Sequence, residues 1–208
     1  MRLNDVWKKA NSQIGFYISE NFDNVPHSPG VYAWFYPLRI TTKSLEQFVS
    51  QVNFVLNYDS LSRGKPESKA VINFNWDKIV LNAKLEATQN YSYKVVDIWN
   101  ALCISEKFDD FRKIILRASV FLPPLYVGKT SNLNTRCFQH IRGEGEKNNF
   151  HQRYENHVKD AGPEIPKKIS ELIFACIKTE DLQDSVGDSE WLIEEILKII
   201  IKPKFSTL

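Results

Sequence analysis

The sequence predicts an α+β protein, and three observations carry that expectation. Val31-Tyr32-Ala33-Trp34-Phe35-Tyr36 is a strand-favouring aromatic run held between the turn Val25-Pro26-His27-Ser28-Pro29-Gly30 and a stop at Pro37. Leu172-Ile173-Phe174-Ala175-Cys176-Ile177 is an unbroken apolar run of the kind that suits a buried central strand. Between and around them lie stretches whose apolar residues recur at helical spacing.

Each element has a local reason. Residues 3 to 20 read as an amphipathic helix and a short extended piece, with Leu3, Val6, Trp7 and Ile14 as core positions. Ser44 stands where it caps a helix through Leu45, Phe48, Val49, Val52, Val55 and Leu56, and Gln47 completes a capping box. Residues 59 to 68 form a polar loop. Val71 to Trp76 alternates as a strand, while Ile79 to Ala87 fits strand or helix. Two helical patterns follow, one on Val95, Val96, Ile98, Trp99 and Leu102, the other on Phe108, Phe111, Ile114, Ile115 and Ala118. Pro123-Pro124 resets the chain. Beyond the polar loop at 142 to 147, a helical segment near Phe150, Tyr154, His157 and Val158 ends at Gly162-Pro163. A final helix runs from about Asp188 to Lys202, capped by Asp188 or Ser189 and closed by Pro203.

Composition narrows the class. The 208 residues are 43% hydrophobic and 25% charged, as in an ordinary globular protein long enough to bury a real core. A net charge of +2 lacks the basic excess of a sequence-independent nucleic-acid binder, so any such function rests on local clusters. Cys103, Cys137 and Cys176 are scattered without metal-ligand spacing and read as reduced thiols, with zinc not expected. No apolar segment reaches the roughly twenty residues a bilayer span needs, so the expectation is a cytoplasmic protein without membrane contact.

One stretch concentrates chemistry. Leu125-Tyr126-Val127-Gly128-Lys129-Thr130 reads as a short apolar strand and a glycine turn, and Ser131-Asn132 caps a helix that carries Arg136 and His140 one turn apart. Pro29-Gly30-Val31-Tyr32, then Tyr126-Val127-Gly128-Lys129 with Leu133, Arg136 and His140 behind it, then Glu194 nine residues ahead of Pro203, resembles the GIY-YIG nuclease family. The resemblance covers residues 25 to 36 and 122 to 206. It implies a three-stranded antiparallel sheet flanked by helices, with the Tyr32 and Tyr126 strands as its first hairpin and 172 to 177 as its third strand. Residues 1–37 and 122–208 are then the nuclease module. Residues 38–121 become a mainly helical inserted subdomain, since roughly ninety residues separate tyrosine motifs that a short hairpin loop ordinarily joins.

The resemblance implies a metal-dependent endonuclease acting on DNA, of restriction or defence type. Tyr32, Tyr126, Arg136, His140 and Glu194 are its catalytic set. Glu194 is the ligand of Mg²⁺ or Mn²⁺, Arg136 grips the scissile phosphate, and Lys129 and Arg142 join it as phosphate contacts. Such residue types suit the reaction: cutting a phosphodiester requires a base for water and positive charge on the crowded phosphorus centre. Tyrosine is a weak base at its ordinary pKa of about 10, so cationic neighbours are expected to favour the phenolate of Tyr32 or Tyr126. Glu190, one helical turn before Glu194, competes for the metal role.

Two departures stand against the pattern: Ser206 where the family commonly has asparagine, and the long insertion. They motivate a second reading, a non-catalytic nucleic-acid-binding or assembly module on the same scaffold, with RNA cleavage third. A homodimer or a protein partner stays open. The insertion carries lysines and arginines, among them Lys43, Lys69, Lys78, Lys84, Arg112, Lys113 and Arg117, as candidates for gripping a DNA backbone, although acids such as Asp109 and Asp110 dilute the signal.

Overall fold

A computed structural model describes residues 14–56, 67–74, 77–84, 92–145, 149–159, 161, 165–180, 189–201 and 203. The expected N-terminal helix on Leu3, Val6 and Trp7, the loop at 59–66, Asp188 and Ser206 lie outside them. The chain divides into two compact units, one of residues 1–38 and 116–208, the other of residues 39–115.

The first unit is built on a four-stranded antiparallel sheet in the order β1 (Ile14–Tyr17), β6 (Ile173–Lys178), β2 (Gly30–Phe35), β5 (Tyr126–Thr130). Three strands were expected; the fourth, β1, pairs Ile14 with Ile177 and Tyr17 with Phe174. Ile14 is therefore not a core residue. It is more than a third exposed on an edge strand, as is Phe16. In β2 and β6 the aromatic and apolar runs are largely buried, as expected for β6, because each has a strand on both sides and side chains packed above.

Register sorts the side chains. Tyr32 stands opposite Gly128 and Cys176, and Trp34 opposite Tyr126 and Phe174, so these residues share one face. On that face Trp34 meets Phe174 edge-on with ring centroids 4.9 Å apart, and Tyr32 stacks on Phe174 at 5.4 Å. Phe150 joins from the helix α5 (Asn149–Val158), with its centroid 6.2 Å from that of Trp34. Aromatic pairs of this kind contribute about 0.5–1.5 kcal/mol each beyond area burial.

The second unit lies between β2 and β5 in sequence. It holds α1 (Leu45–Leu56), a separate two-stranded sheet of β3 (Glu67–Phe74) and β4 (Asp77–Lys84), α2 (Tyr93–Ile104) and α3 (Phe108–Arg117). Its core is Ile40, Trp99 and Cys103, packed by Leu45, Phe48, Phe108, Phe111 and Ile115. Trp99 stacks on Phe48 at 5.5 Å, and its indole N–H donates to the Lys43 carbonyl at 2.8 Å. The capping box at α1 is half formed. Ser44 Oγ accepts from Gln47 N–H at 3.3 Å, but the Gln47 side chain accepts from Thr42 Oγ1 at 2.6 Å. The region 79 to 84 resolves to strand, and β3 begins at Glu67, inside the stretch expected to be loop.

Candidate active site

The turn at residues 25–29 and the helix α4 (Leu133–Arg142) are locked together by backbone hydrogen bonds. The first N–H groups of a helix have no partner within it. Here Leu133 N–H donates to the Ser28 carbonyl at 2.9 Å and Asn134 N–H to the Pro26 carbonyl at 3.1 Å. Asn132 caps the same end, its side chain accepting from Thr135 N–H at 2.9 Å. Gly143 closes the other end with φ of 70°, the left-handed conformation glycine adopts without penalty. The buried Asn134 side chain donates to the Val25 carbonyl at 3.1 Å. Residues 25–30 and the start of α4 thus form one clamp, and it fixes where the inner face of α4 meets β2.

That face delivers Arg136 and His140 to Tyr32. Arg136 Nε donates to Tyr32 Oη at 3.2 Å, and His140 Nε2 lies 2.8 Å from the same oxygen. A second hydrogen bond, from Arg136 Nη1 to Gln139 Oε1 at 3.1 Å, steadies the guanidinium. Tyr126 completes the group. Its ring lies 5.9 Å from that of Tyr32 and 5.4 Å from that of His140, close enough for its phenol to act electrostatically on Tyr32 and Arg136. The close approach depends on Gly128, where a Cβ would stand 2.6 Å from Tyr32 Oη and 2.7 Å from Tyr126 Cε1. His140 is almost fully enclosed, and its carbonyl accepts from His151 Nδ1 at 2.8 Å.

Burial reverses one expectation about this cluster. The Tyr32 phenol is pushed well above its ordinary range, chiefly because its side chain is enclosed, with the Tyr126 phenol adding to the effect; the Arg136 charge only partly opposes it. Only 2% of Tyr32 is exposed, whereas Tyr126 is half-buried. For Arg136, burial works against the charge, but the Tyr32 and Tyr126 phenols outweigh it and strengthen the guanidinium's hold on its proton.

The other expected residues are Glu194, Lys129 and Arg142. Glu194 lies on α6 (Ser189–Ile201), a helix packed against β5 and β2, and is buried. Its polar partner among the described residues is Lys198, at 3.0 Å, which Glu195 also contacts at 3.0 Å. Burial opposes the charge on Lys198, but the two carboxylates prevail and hold its proton more tightly. Lys129 is exposed and stands opposite Val31, on the sheet face away from Tyr32. Arg142 is exposed, stacked over the Phe138 ring at 5.3 Å and 3.9 Å from Glu144.

Among the described residues no three His, Cys, Asp or Glu side chains gather as a multidentate metal site. Mg²⁺ retains most of its waters and needs only one or two protein oxygens, a demand the buried Glu194 carboxylate can meet if Lys198 releases it. Sequence reasoning missed Asn134 and Gln139, the residues that orient the helix and the arginine. A polar residue inside a helix reads as surface, and only tertiary partners distinguish it. Comparisons with protein-family models, curated proteins and solved structures find no match.

Proposed function

We propose that this chain is a nuclease of GIY-YIG type, a metal-dependent endonuclease that hydrolyses phosphodiester bonds in DNA. The observation that supports it most is the buried Tyr32 phenol bound at once by Arg136 Nε and His140 Nε2, two residues one turn apart behind the strand Tyr126–Thr130. An arginine held by its Nε and by one Nη, and still half-buried, has donor groups left for two phosphate oxygens. Tyr32 is then a positioning residue. Its enclosed phenol fixes the arginine and the histidine, and its raised pKa keeps it neutral.

Tyr126, half-buried beside the same arginine, is the tyrosine suited to meet water. Glu194 would hold Mg²⁺, which when bound supplies Lewis-acid stabilisation of the phosphate and the leaving oxygen. Lys198 neutralises this carboxylate in the free protein and must yield part of that contact. The test is incubation of the full chain with plasmid, linear, branched and modified DNA in Mg²⁺ or Mn²⁺, beside Arg136→Ala. Metal-dependent cleavage that Arg136→Ala lowers by about 100-fold or more is expected. Cleavage unchanged in that variant would remove the arginine from the site.

The Glu194–Lys198 pair favours one second reading, a non-catalytic nucleic-acid-binding module whose acidic position has become a structural ion pair. DNA binding without turnover in any divalent metal would support that reading. Any metal-dependent cleavage would end it.

A further inference from the structure

The helix α6 has two unlike faces. One carries the buried Glu194 and Lys198, joined at 3.0 Å. On the other, Trp191, Leu192, Ile196, Ile199 and Ile200 are each between 45% and 71% exposed. Single exposed apolar side chains are ordinary on a protein surface, but five on thirteen residues of one helix form a patch, and patches mark contacts. Leu192, Ile196, Ile199 and Ile200 recur at i, i+4, i+7 and i+8, so they make one stripe. From Leu192 to Ile200 it is about 12 Å long, at 1.5 Å per residue.

Charge indicates what kind of surface the stripe fits. From Trp191 to Ile200 the charged residues are Glu194, Glu195 and Lys198, and Lys198 Nζ lies 3.0 Å from both carboxylates. A helix that rests on a lipid surface carries lysines and arginines around its apolar face. This stretch has one lysine, and two carboxylates hold it. An apolar protein surface is the better match.

Spacing narrows the choice to a second copy. Leu192 and Ile200 stand four residues on either side of Ile196, so the stripe presents the same sequence of branched aliphatic side chains from either end. We infer that two copies of this chain associate through α6, packed antiparallel about a two-fold axis at Ile196. Ile196 of one copy then meets Ile196 of the other, Leu192 meets Ile200 at both ends, and no charged residue of the stretch opposes its like across the axis. The area agrees with such a dimer. The five side chains leave on the order of 500 Å² of surface open to water. A standard interface buries about 800 Å² per partner, of which a little over half, about 450 Å², is non-polar. The surface is argued from α6 alone. Its consequence for cutting rests on the nuclease reading, because a site that cuts one strand needs a second copy to cut both.

Sedimentation velocity of the full chain at about 50 µM, without DNA or metal, tests the surface, and the wild type is expected at twice the mass of one chain. Ile196→Glu sets two carboxylates face to face on the axis and is expected to weaken association by about 100-fold or more. Leu192→Glu and Ile200→Lys are each expected to be monomeric alone and to pair when mixed in equal amounts, since glutamate then faces lysine at one end and isoleucine faces leucine at the other. Circular dichroism establishes that the variants fold, which exposed positions favour. A monomeric wild type, an Ile196→Glu protein that sediments as the wild type does, or single variants that stay apart on mixing would each overturn the inference. So would a monomer that co-sediments with anionic lipid vesicles, which would give the face to a membrane.

Plasmid cleavage in Mg²⁺ tests the consequence. The wild type is expected to carry supercoiled DNA through nicked circles to linear product, and Ile196→Glu to stop at nicked circles. A dimer that cuts nothing in any divalent metal would retain the surface and discard the nuclease reading. Cutting by a monomeric wild type would do the reverse.

Discussion

Tyr32 is the residue on which the candidate site turns, because one phenolic oxygen partners the buried His140 Nε2 and the half-buried Arg136 Nε. Tyr32→Phe removes that oxygen and leaves both without it. A loss of about 1–3 kcal/mol in urea denaturation is expected, together with slower cleavage. Tyr126→Phe, at a half-buried ring, is expected to slow cleavage with a much smaller loss of stability, so the two substitutions separate positioning from chemistry. The thiols set an alkaline limit. Burial raises Cys137 from 9.0 to about 12, helped by Cys176, and burial also raises Cys176 to about 11 against the opposing effects of Gly15 and Lys178. A pKa raised in the folded state means that the unfolded chain loses its proton first. The contribution is whole below about pH 9 and is lost as pH climbs toward 12. Denaturation midpoints are expected to hold level from about pH 6 to 8 and fall beyond, and the native thiols to resist labelling at about pH 8.

The strand β5, the cap and the helix α4 behave as one piece, and their order was legible in the sequence because each signal is local; the glycine read as a turn, Gly128, instead lies within β5 opposite Tyr32. Asn132 precedes the helix it caps, Gly143 follows it, and Arg136 and His140 share a face by spacing alone. Asn132→Ala is expected to cost about 1 kcal/mol in chemical denaturation. Gly128→Ala drives a methyl into the Tyr32 and Tyr126 rings and is expected to abolish cleavage while the secondary structure persists in circular dichroism. What was illegible depends on distant partners. The short extended piece read within residues 3 to 20 joins the sheet as Ile14–Tyr17 only through β6, which its own residues do not announce, and Glu67-Ser68 reads as loop until β4 pairs with it. The enclosure of Tyr32, which reverses its expected acidity, comes largely from Phe174 and His140, residues more than a hundred positions away.

At the scale of the molecule, two units divide the chain, and the sheet unit is assembled from segments on both sides of the other. That assembly is possible because β2 and β5 pair directly, from Gly30 opposite Thr130 to Trp34 opposite Tyr126, despite the intervening residues. No helix among the described residues is long and apolar enough to cross a membrane. All the residues of the candidate site belong to the unit of residues 1–38 and 116–208. The most direct measurement is nicking of supercoiled plasmid by the full chain in Mg²⁺, compared with Glu194→Gln, which retains the shape of the side chain and removes its charge. Nicking by the wild type and a loss of about 100-fold or more in a variant of unchanged melting temperature is the expected result. Equal nicking by both proteins, or a wild type that binds plasmid and leaves it intact in Mg²⁺ and Mn²⁺ alike, would contradict the assignment.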